Sequence, residues 1–110
     1  MTNGAVDKML KVLESSDGLT KRQKEDMIKL LADLKKELAL IPENDKDDAA
    51  SIVNFAAAGT HEAVKSKRNS ILSDLSLKGL SESVRKYEAS HPDLFAAVNA
   101  VCDYLAGIGI

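Results

Sequence analysis

The chain contains no tryptophan, and it has only two tyrosines, two phenylalanines, two prolines and one cysteine among its 110 residues. A single cysteine, Cys102, excludes a disulfide bond within the chain and is typical of a protein from a reducing compartment. Aromatic side chains are too few to be interleaved with basic residues, as they are in single-strand nucleic-acid binders. The longest mostly apolar run, residues 49–59, is about half as long as a membrane span requires.

Charged residues are plentiful but nearly balanced, with 15 basic and 17 acidic side chains and a formal net charge of -2. A dedicated nucleic-acid binder usually has a strong basic excess, so this class is not expected. The first residues are polar and lack the apolar centre of a secretion signal. The sequence therefore predicts a cytoplasmic protein without membrane association. Its length is that of a single domain, 1–110.

Alanine, leucine, lysine and glutamate dominate the composition, which favours helices. A helical hairpin is predicted over residues 4–41, with serines, Asp17 and Gly18 ending its short first helix at about Ser16. Thr20 and Gln23 have the spacing of a capping box at the start of the second helix. That helix has a coiled-coil-like seam at 4-3-4-3 spacing before Pro42 ends it: Met27, Leu31, Leu34, Leu38 and Ile41.

Two further helices are predicted at about 46–66 and 70–90. The first has a face of small residues, which lets a neighbouring backbone come close, and Gly59 is a candidate bend. In the second, Gly79 is expected to permit tight packing, and a break at residues 77–79 is the competing interpretation. Its predicted buried face consists of Leu72, Leu75, Gly79, Leu80, Ser83, Val84 and Tyr87.

A last helix is predicted over 92–107, because Ser90 and Asp93 have capping-box spacing and Pro92 suits a first turn. Gly107 is the candidate C-cap. Its apolar seam again repeats at 4-3-4-3 spacing through Leu94, Val98, Val101, Leu105 and Ile108. No strand-like alternation occurs. The predicted fold class is all-α, a bundle of four long helices plus a short N-terminal helix.

The end of the chain resembles a known family. The motif E-A-S-H-P-D-L, an apolar helix and the ending L-A-G-I-G-I are similar to those of a bacterial family of short proteins of unknown function. The stretch L-T-K-R-Q-K-E-D-M-I-K-L-L-A-D-L resembles the first helical hairpin of that family more loosely. The resemblance implies a helical fold and a bacterial origin. It implies no activity, and therefore no functional residues.

Glu88 and His91 have the Glu-x-x-His spacing of di-iron carboxylate bundles, which makes them weak candidate metal ligands. Such a site needs a second motif, and the other histidine, His61, has Ala58 at the required earlier position. We therefore expect no metal and no cofactor. The favoured interpretation is that the His91 imidazole bonds to a free backbone group at the helix junction. Cys102 lies on the apolar stripe of the last helix without a nearby histidine, so it is expected to behave as a small hydrophobe.

No nucleophile–base pair, phosphate loop or complete ligand set occurs, so we expect a non-enzymatic protein. The preferred hypothesis is an interaction module that forms a homo-oligomer, with a dimer favoured, or binds a partner helix. The apolar tail of Leu105, Ile108 and Ile110 would dock either within the chain or across a subunit boundary. One alternative is a ligand- or metal-binding bundle that uses His91 and Glu88. The second alternative is weak nucleic-acid binding through two basic turns: Lys21, Arg22 and Lys24, and Lys65, Lys67 and Arg68.

Overall fold

The computed structural model describes residues 2–16, 18–65 and 67–108. These residues form five α-helices and two short 3-10 turns, with no strand in the described part of the chain. The predicted all-α class is therefore confirmed. The helices are α1 (Thr2–Glu14), α2 (Lys21–Leu38), α3 (Lys46–Ala63), α4 (Ser70–Val84) and α5 (Pro92–Gly107), and the 3-10 turns are Glu43–Asp45 and Arg85–Tyr87.

The helices enclose one hydrophobic core. Helix α3 packs most extensively against α4, while α2 lies against α1 and α5, α1 also contacts α3, and α4 also contacts α5. The seams predicted for α2 and α5 face this core, since both are buried along the length of their helices. The buried seam residues are Met27, Leu31, Leu34 and Leu38 in α2, and Leu94, Val98, Val101 and Leu105 in α5. No helix of the described residues is long and apolar enough to cross a membrane.

The capping box of α2 is confirmed, because the Thr20 hydroxyl accepts from the Gln23 amide at 3.1 Å and the Gln23 side chain accepts from the Thr20 amide at 2.9 Å. The capping box predicted for α5 is wrong. His91 is the N-cap residue and makes no side-chain cap bond. Ser90 instead bonds to the imidazole Nδ1 of His91 at 3.1 Å. Pro92 does occupy the first turn, as its fixed φ and missing amide favour.

Helix ends differ from the predictions where the last turn tightens. Helix α2 ends at Leu38 rather than Ile41, because the amides of Leu40 and Ile41 bond three residues back and Pro42 disfavours a helical residue before it. Helix α1 spans 2–14 rather than 4–16, and Ser15 closes it by bonding to the Lys11 carbonyl. Helix α5 includes Gly107, and Ile108 is its C-cap.

The two middle helices are also shorter than predicted. Helix α3 ends at Ala63, not at 66, because the Lys65 amide already bonds three residues back. Helix α4 ends at Val84, not at 90. The following 3-10 turn brings Tyr87 against α3, where its hydroxyl donates to the Asp48 carboxylate at 2.8 Å. That tertiary bond is not visible in helical periodicity.

Neither glycine interrupts its helix, since α3 and α4 are each continuous. Both allow a neighbouring side chain to approach the helix backbone. A Cβ on Gly59 would lie 3.2 Å from the Leu105 Cδ1, and a Cβ on Gly79 would overlap the Phe55 ring. The alternative break at 77–79 is therefore wrong, and close packing explains Gly79. The bend at Gly59 stays a prediction.

The predicted buried face of α4 is wrong in its first half. Leu72 and Leu75 are 46% and 59% exposed, whereas Ser73 and Ser76 are 1% and 8% exposed. The second half agrees with the prediction, because Leu80, Val84 and the following Tyr87 are buried. The sequence pattern assigns the leucines to the core because it weighs hydrophobicity, not the space that a neighbouring helix leaves.

We expect Leu34→Asp or Val98→Asp to unfold the protein. Both side chains are completely buried, and an unpaired buried charge costs several kcal/mol against a total stability of about 5–15 kcal/mol. Circular dichroism during heating measures the effect. Leu40→Asp is the matched control, because this leucine is exposed in the turn after α2 and should tolerate the same charge with little change in melting temperature. Equal losses at Leu34 and Leu40 would contradict the assigned core.

Candidate interaction surface

The outer side of α4 carries three large apolar side chains that the bundle does not cover. Ile71, Leu72 and Leu75 are 69%, 46% and 59% exposed. They fall on neighbouring positions of one helix face, because residues three and four apart in a helix lie side by side. The next position along that face is Gly79, one turn after Leu75.

Phe55 of α3 extends this apolar surface. Its ring lies over Gly79, so closely that any side chain there would overlap it, yet 38% of the residue remains exposed. Ile71, Leu72 and Leu75 together with Phe55 are called the α4 patch below. Contiguous exposed apolar side chains of this size mark interaction sites more often than isolated ones do.

Small residues on the inner side of α4 explain why the leucines point outward. The Ser73 hydroxyl donates to the Asn69 carbonyl at 2.9 Å, and the Ser76 hydroxyl donates to the Leu72 carbonyl at 2.7 Å. Because these bonds lie within the helix, the serines can be buried without losing hydrogen bonds. A Cβ on Gly59 of α3 would lie only 4.0 Å from the Ser76 Cβ. A leucine has no room in such a contact.

Charged residues flank the α4 patch. Asp74 and Lys78 are exposed and one turn apart on α4. Glu82 lies one turn further along and accepts from Arg85 at 3.1 Å. An apolar centre with charged edges is the usual anatomy of a protein–protein contact.

The other large apolar residues that are exposed in the described part of the chain lie apart from the α4 patch. Leu40 is 69% exposed in the turn after α2, and Val12 is 41% exposed on α1. Val12 borders a shallow apolar groove of about 420 Å³ between α1 and α3, which is lined by Lys8, Met9, Val12, Ala57, Ala58, Thr60 and His61. The Thr60 hydroxyl is buried there without a hydrogen-bond partner.

The predicted interaction tail lies largely against its own chain. Leu105 is completely buried, and Ile108 is half-buried and packs against the core. Ile110 lies outside the described residues. The main chain of Ile108 is held as well, because Arg68 Nη1 donates to its carbonyl at 3.0 Å.

Arg68 joins three separate parts of the bundle. Besides the Ile108 carbonyl, its guanidinium donates to the Ala63 carbonyl at 3.1 Å and to the Gly18 carbonyl at 3.3 Å. It therefore links the α1–α2 turn, the end of α3 and the end of α5. Sequence analysis places Arg68 in a basic surface turn. Two of its acceptors are 40 and 50 residues away in the chain, so no local pattern indicates them.

The other basic residues of the two predicted nucleic-acid turns are also partly engaged. Lys65 Nζ lies 3.0 Å from both carboxylate oxygens of Glu62, whose side chain is buried. Lys24 reaches the Glu14 carbonyl at 3.5 Å, and Arg22 lies 3.9 Å from the Asp26 carboxylate. These contacts offset part of the positive charge that a phosphate would meet.

Glu88 and His91 are not brought together into a ligand set. Glu88 is exposed, and His91 Nδ1 faces the Ser90 hydroxyl. The imidazole lies edge-on to the Tyr87 ring with 5.2 Å between ring centroids. Its predicted bond to a backbone group is therefore wrong, since the ring packs against a side chain instead. Among the described residues, no three His, Cys, Asp or Glu side chains are grouped closely enough to hold a metal ion.

Cys102 is half-buried on α5. Burial raises the pKa of its thiol to about 11, and the nearby negative charge of Asp103 acts in the same direction. The thiol is therefore protonated at neutral pH, and a protonated thiol is a poor nucleophile.

A small all-helical bundle with an uncovered apolar face on α4 is the class of protein that these features define. Residues 27–110 match a known protein family, which is described as "Domain of unknown function (DUF4404)". The match covers α3, α4, α5 and most of α2, so the chain belongs to this family. No curated protein matches it, and no solved structure matches it.

We expect Arg68→Ala to lower the free energy of unfolding by about 3 kcal/mol, because hydrogen bonds from a charged donor contribute about 1.5–3 kcal/mol each. Arg68→Lys should retain part of this stability, since one ammonium cannot reach all three carbonyls. Urea unfolding measures both variants. Lys67→Ala is the matched control, because Lys67 is exposed in the same turn. A similar loss in the control would contradict the role of Arg68.

We expect removal of residues 108–110 to lower the melting temperature. The number of subunits per particle in solution should stay the same as in the full-length protein. The truncated chain loses the packing of Ile108 and the carbonyl that Arg68 holds. Heating scans and light scattering measure the two quantities. A change from oligomer to monomer with unchanged stability would instead indicate that the tail docks between subunits.

Proposed function

We propose that this protein is a non-enzymatic interaction module that binds a protein partner through the α4 patch. The observation that supports the proposal is the inverted face of α4, with Leu72 and Leu75 outside and Ser73 and Ser76 inside. Exposed apolar surface weakens solubility and adds nothing to the stability of a monomer. A partner that covers this face for part of the time would explain why the apolar side chains are exposed.

The proposal assigns the contact to α4 rather than to the tail. Leu105 and Ile108 contact the core of their own chain, so they offer a partner little surface. The exposed side of α4 suits another helix, because an apolar stripe with charged edges is what helix-on-helix recognition uses. A bacterial source and a cytoplasmic location belong to the same proposal, and they rest on the sequence resemblance and on the single cysteine.

Site-specific photo-crosslinking in the cells of origin tests this function. A photoreactive phenylalanine analogue replaces Leu75 in one variant and Leu40 in the other. Leu40 is a matched control, because it is equally apolar and 69% exposed but stands apart from the patch. We expect a discrete protein adduct from position 75, identified by mass spectrometry, and none from position 40.

Two results would overturn the proposed function. One is the absence of any protein adduct at position 75 after efficient activation of the probe. The other is a lipid adduct in place of a protein adduct, which would assign the patch to a membrane surface. Both variants must keep the melting temperature of the unmodified protein, and the exposure of both side chains makes this the expected result.

A further inference from the structure

We propose that the partner of the α4 patch is a second copy of this chain, packed antiparallel about a two-fold axis close to Leu75. This inference rests on the proposed function and names the partner. Closed two-fold dimers are the commonest oligomers, and in them one surface must be complementary to itself. The α4 patch and its charged edge meet that requirement in one orientation only.

An antiparallel arrangement makes the two ends of the α4 patch complementary about Leu75. In an antiparallel pair centred there, Leu75 of one copy packs on Leu75 of the other. Ile71 and Leu72 then lie opposite the position of Gly79 in the second copy, four residues on the other side of the axis. No side chain projects at Gly79, and the exposed edge of the Phe55 ring fills that place. Aliphatic side chains at one end therefore meet an aromatic ring at the other, and this happens twice.

The charges decide between the antiparallel and the parallel orientation. Asp74 and Lys78 lie on the same edge of the patch, before and after Leu75, and both are exposed. In an antiparallel pair, residues on the same edge face each other, so Asp74 of each copy meets Lys78 of the other. In a parallel pair, the edges that carry Asp74 and Lys78 would lie on opposite sides of the contact, so neither charge would face the other across it. Opposite charges across a contact fix its register, and only the antiparallel pair brings these two together.

The inner side of α4 limits how else a second copy can bind. Ser73, Ser76, Leu80 and Val84 are buried against the protein's own core. Only the side with Ile71, Leu75 and Lys78 is free to accept another helix. The 15 residues of α4 make a helix of roughly 22 Å, about four turns, which is long enough for a complete helix–helix contact.

Charge reversal tests the register in the full-length protein by sedimentation velocity over a range of concentrations. We expect the dimer dissociation constant to rise about tenfold in Asp74→Lys and in Lys78→Asp, because each replaces two attractive pairs by two repulsive ones. The double variant D74K/K78D should recover the dissociation constant of the wild type. An equimolar mixture of the two single variants should also dimerise, because each lysine of one variant would then face an aspartate of the other across the contact.

Matched controls carry the same changes of charge on α2. Asp33→Lys and Lys36→Asp alter exposed residues far from the patch in the chain, and they should leave the dissociation constant unchanged. Single reversals on α4 that behave like these controls would overturn the antiparallel register. A wild-type protein that stays monomeric at every concentration would overturn the proposal that a second copy of the chain is the partner.

A crosslink gives an independent test of the axis. In a Cys102→Ala background, Leu75→Cys should form a disulfide-linked dimer under mild oxidation, because the two positions meet at the axis. Ser81→Cys is the control, since this exposed residue lies on the same helix about two turns from the axis. Equal crosslinking of the two variants would contradict the proposed axis. The proposed function would still stand if the photo-crosslinker at position 75 captured a different protein, so the two proposals can fail separately.

Discussion

The narrow contact between α3 and α4 determines the outer surface of the molecule. Gly59 and Ser76 face each other there, and the serine hydroxyls of α4 are satisfied by carbonyls of their own helix. Two helices that approach through such small residues leave no space for leucine between them. The larger apolar side chains in the first half of α4 must therefore lie on the outside, and the α4 patch is a direct result of this contact.

A second constraint acts at one end of the bundle, where polar groups meet around Arg68. Its guanidinium bonds to the carbonyls of Gly18, Ala63 and Ile108, and Ser16 bonds to the Val64 carbonyl at 3.3 Å. These are carbonyls at turns and helix ends, which lack partners within their own helices. One side chain thus satisfies groups from three elements, and it holds the α1–α2 turn and the end of α5 against the start of α4.

The parts of the fold that depend on local chemistry could be predicted from the sequence. The Thr20 capping box, the first turn at Pro92 and the seams of α2 and α5 involve residues within a few positions of each other, and hydrophobic periodicity or cap chemistry is sufficient for them. The inner face of α4 could not be predicted in this way. Ser73 and Leu72 differ by one position, and which of them is buried depends on Gly59 and the alanines of α3.

The same distinction applies to the candidate sites. The Glu88-x-x-His91 spacing is a local pattern, but a metal site needs ligands from other helices, and only tertiary structure shows whether they are near. Periodicity does not reveal the α4 patch, because it assigns the leucines of that helix to the core. One signal is present in the sequence. In α4, Ile71, Leu72 and Leu75 lie on one face of the helix, and serines at helical spacing lie on another. The sequence therefore offers two different faces that could be buried.

The acceptors of Arg68 also imply an order of events during synthesis. Helices α1, α2 and α3 precede this arginine, but its bond to the Ile108 carbonyl spans 40 residues of later sequence. Until α5 is complete, Arg68 lacks its third acceptor, and α2 and α4 lack the helix that packs against them. The apolar residues that α5 covers in the finished bundle therefore stay uncovered until the last helix has been added. This is the interval in which a chaperone would have most to bind.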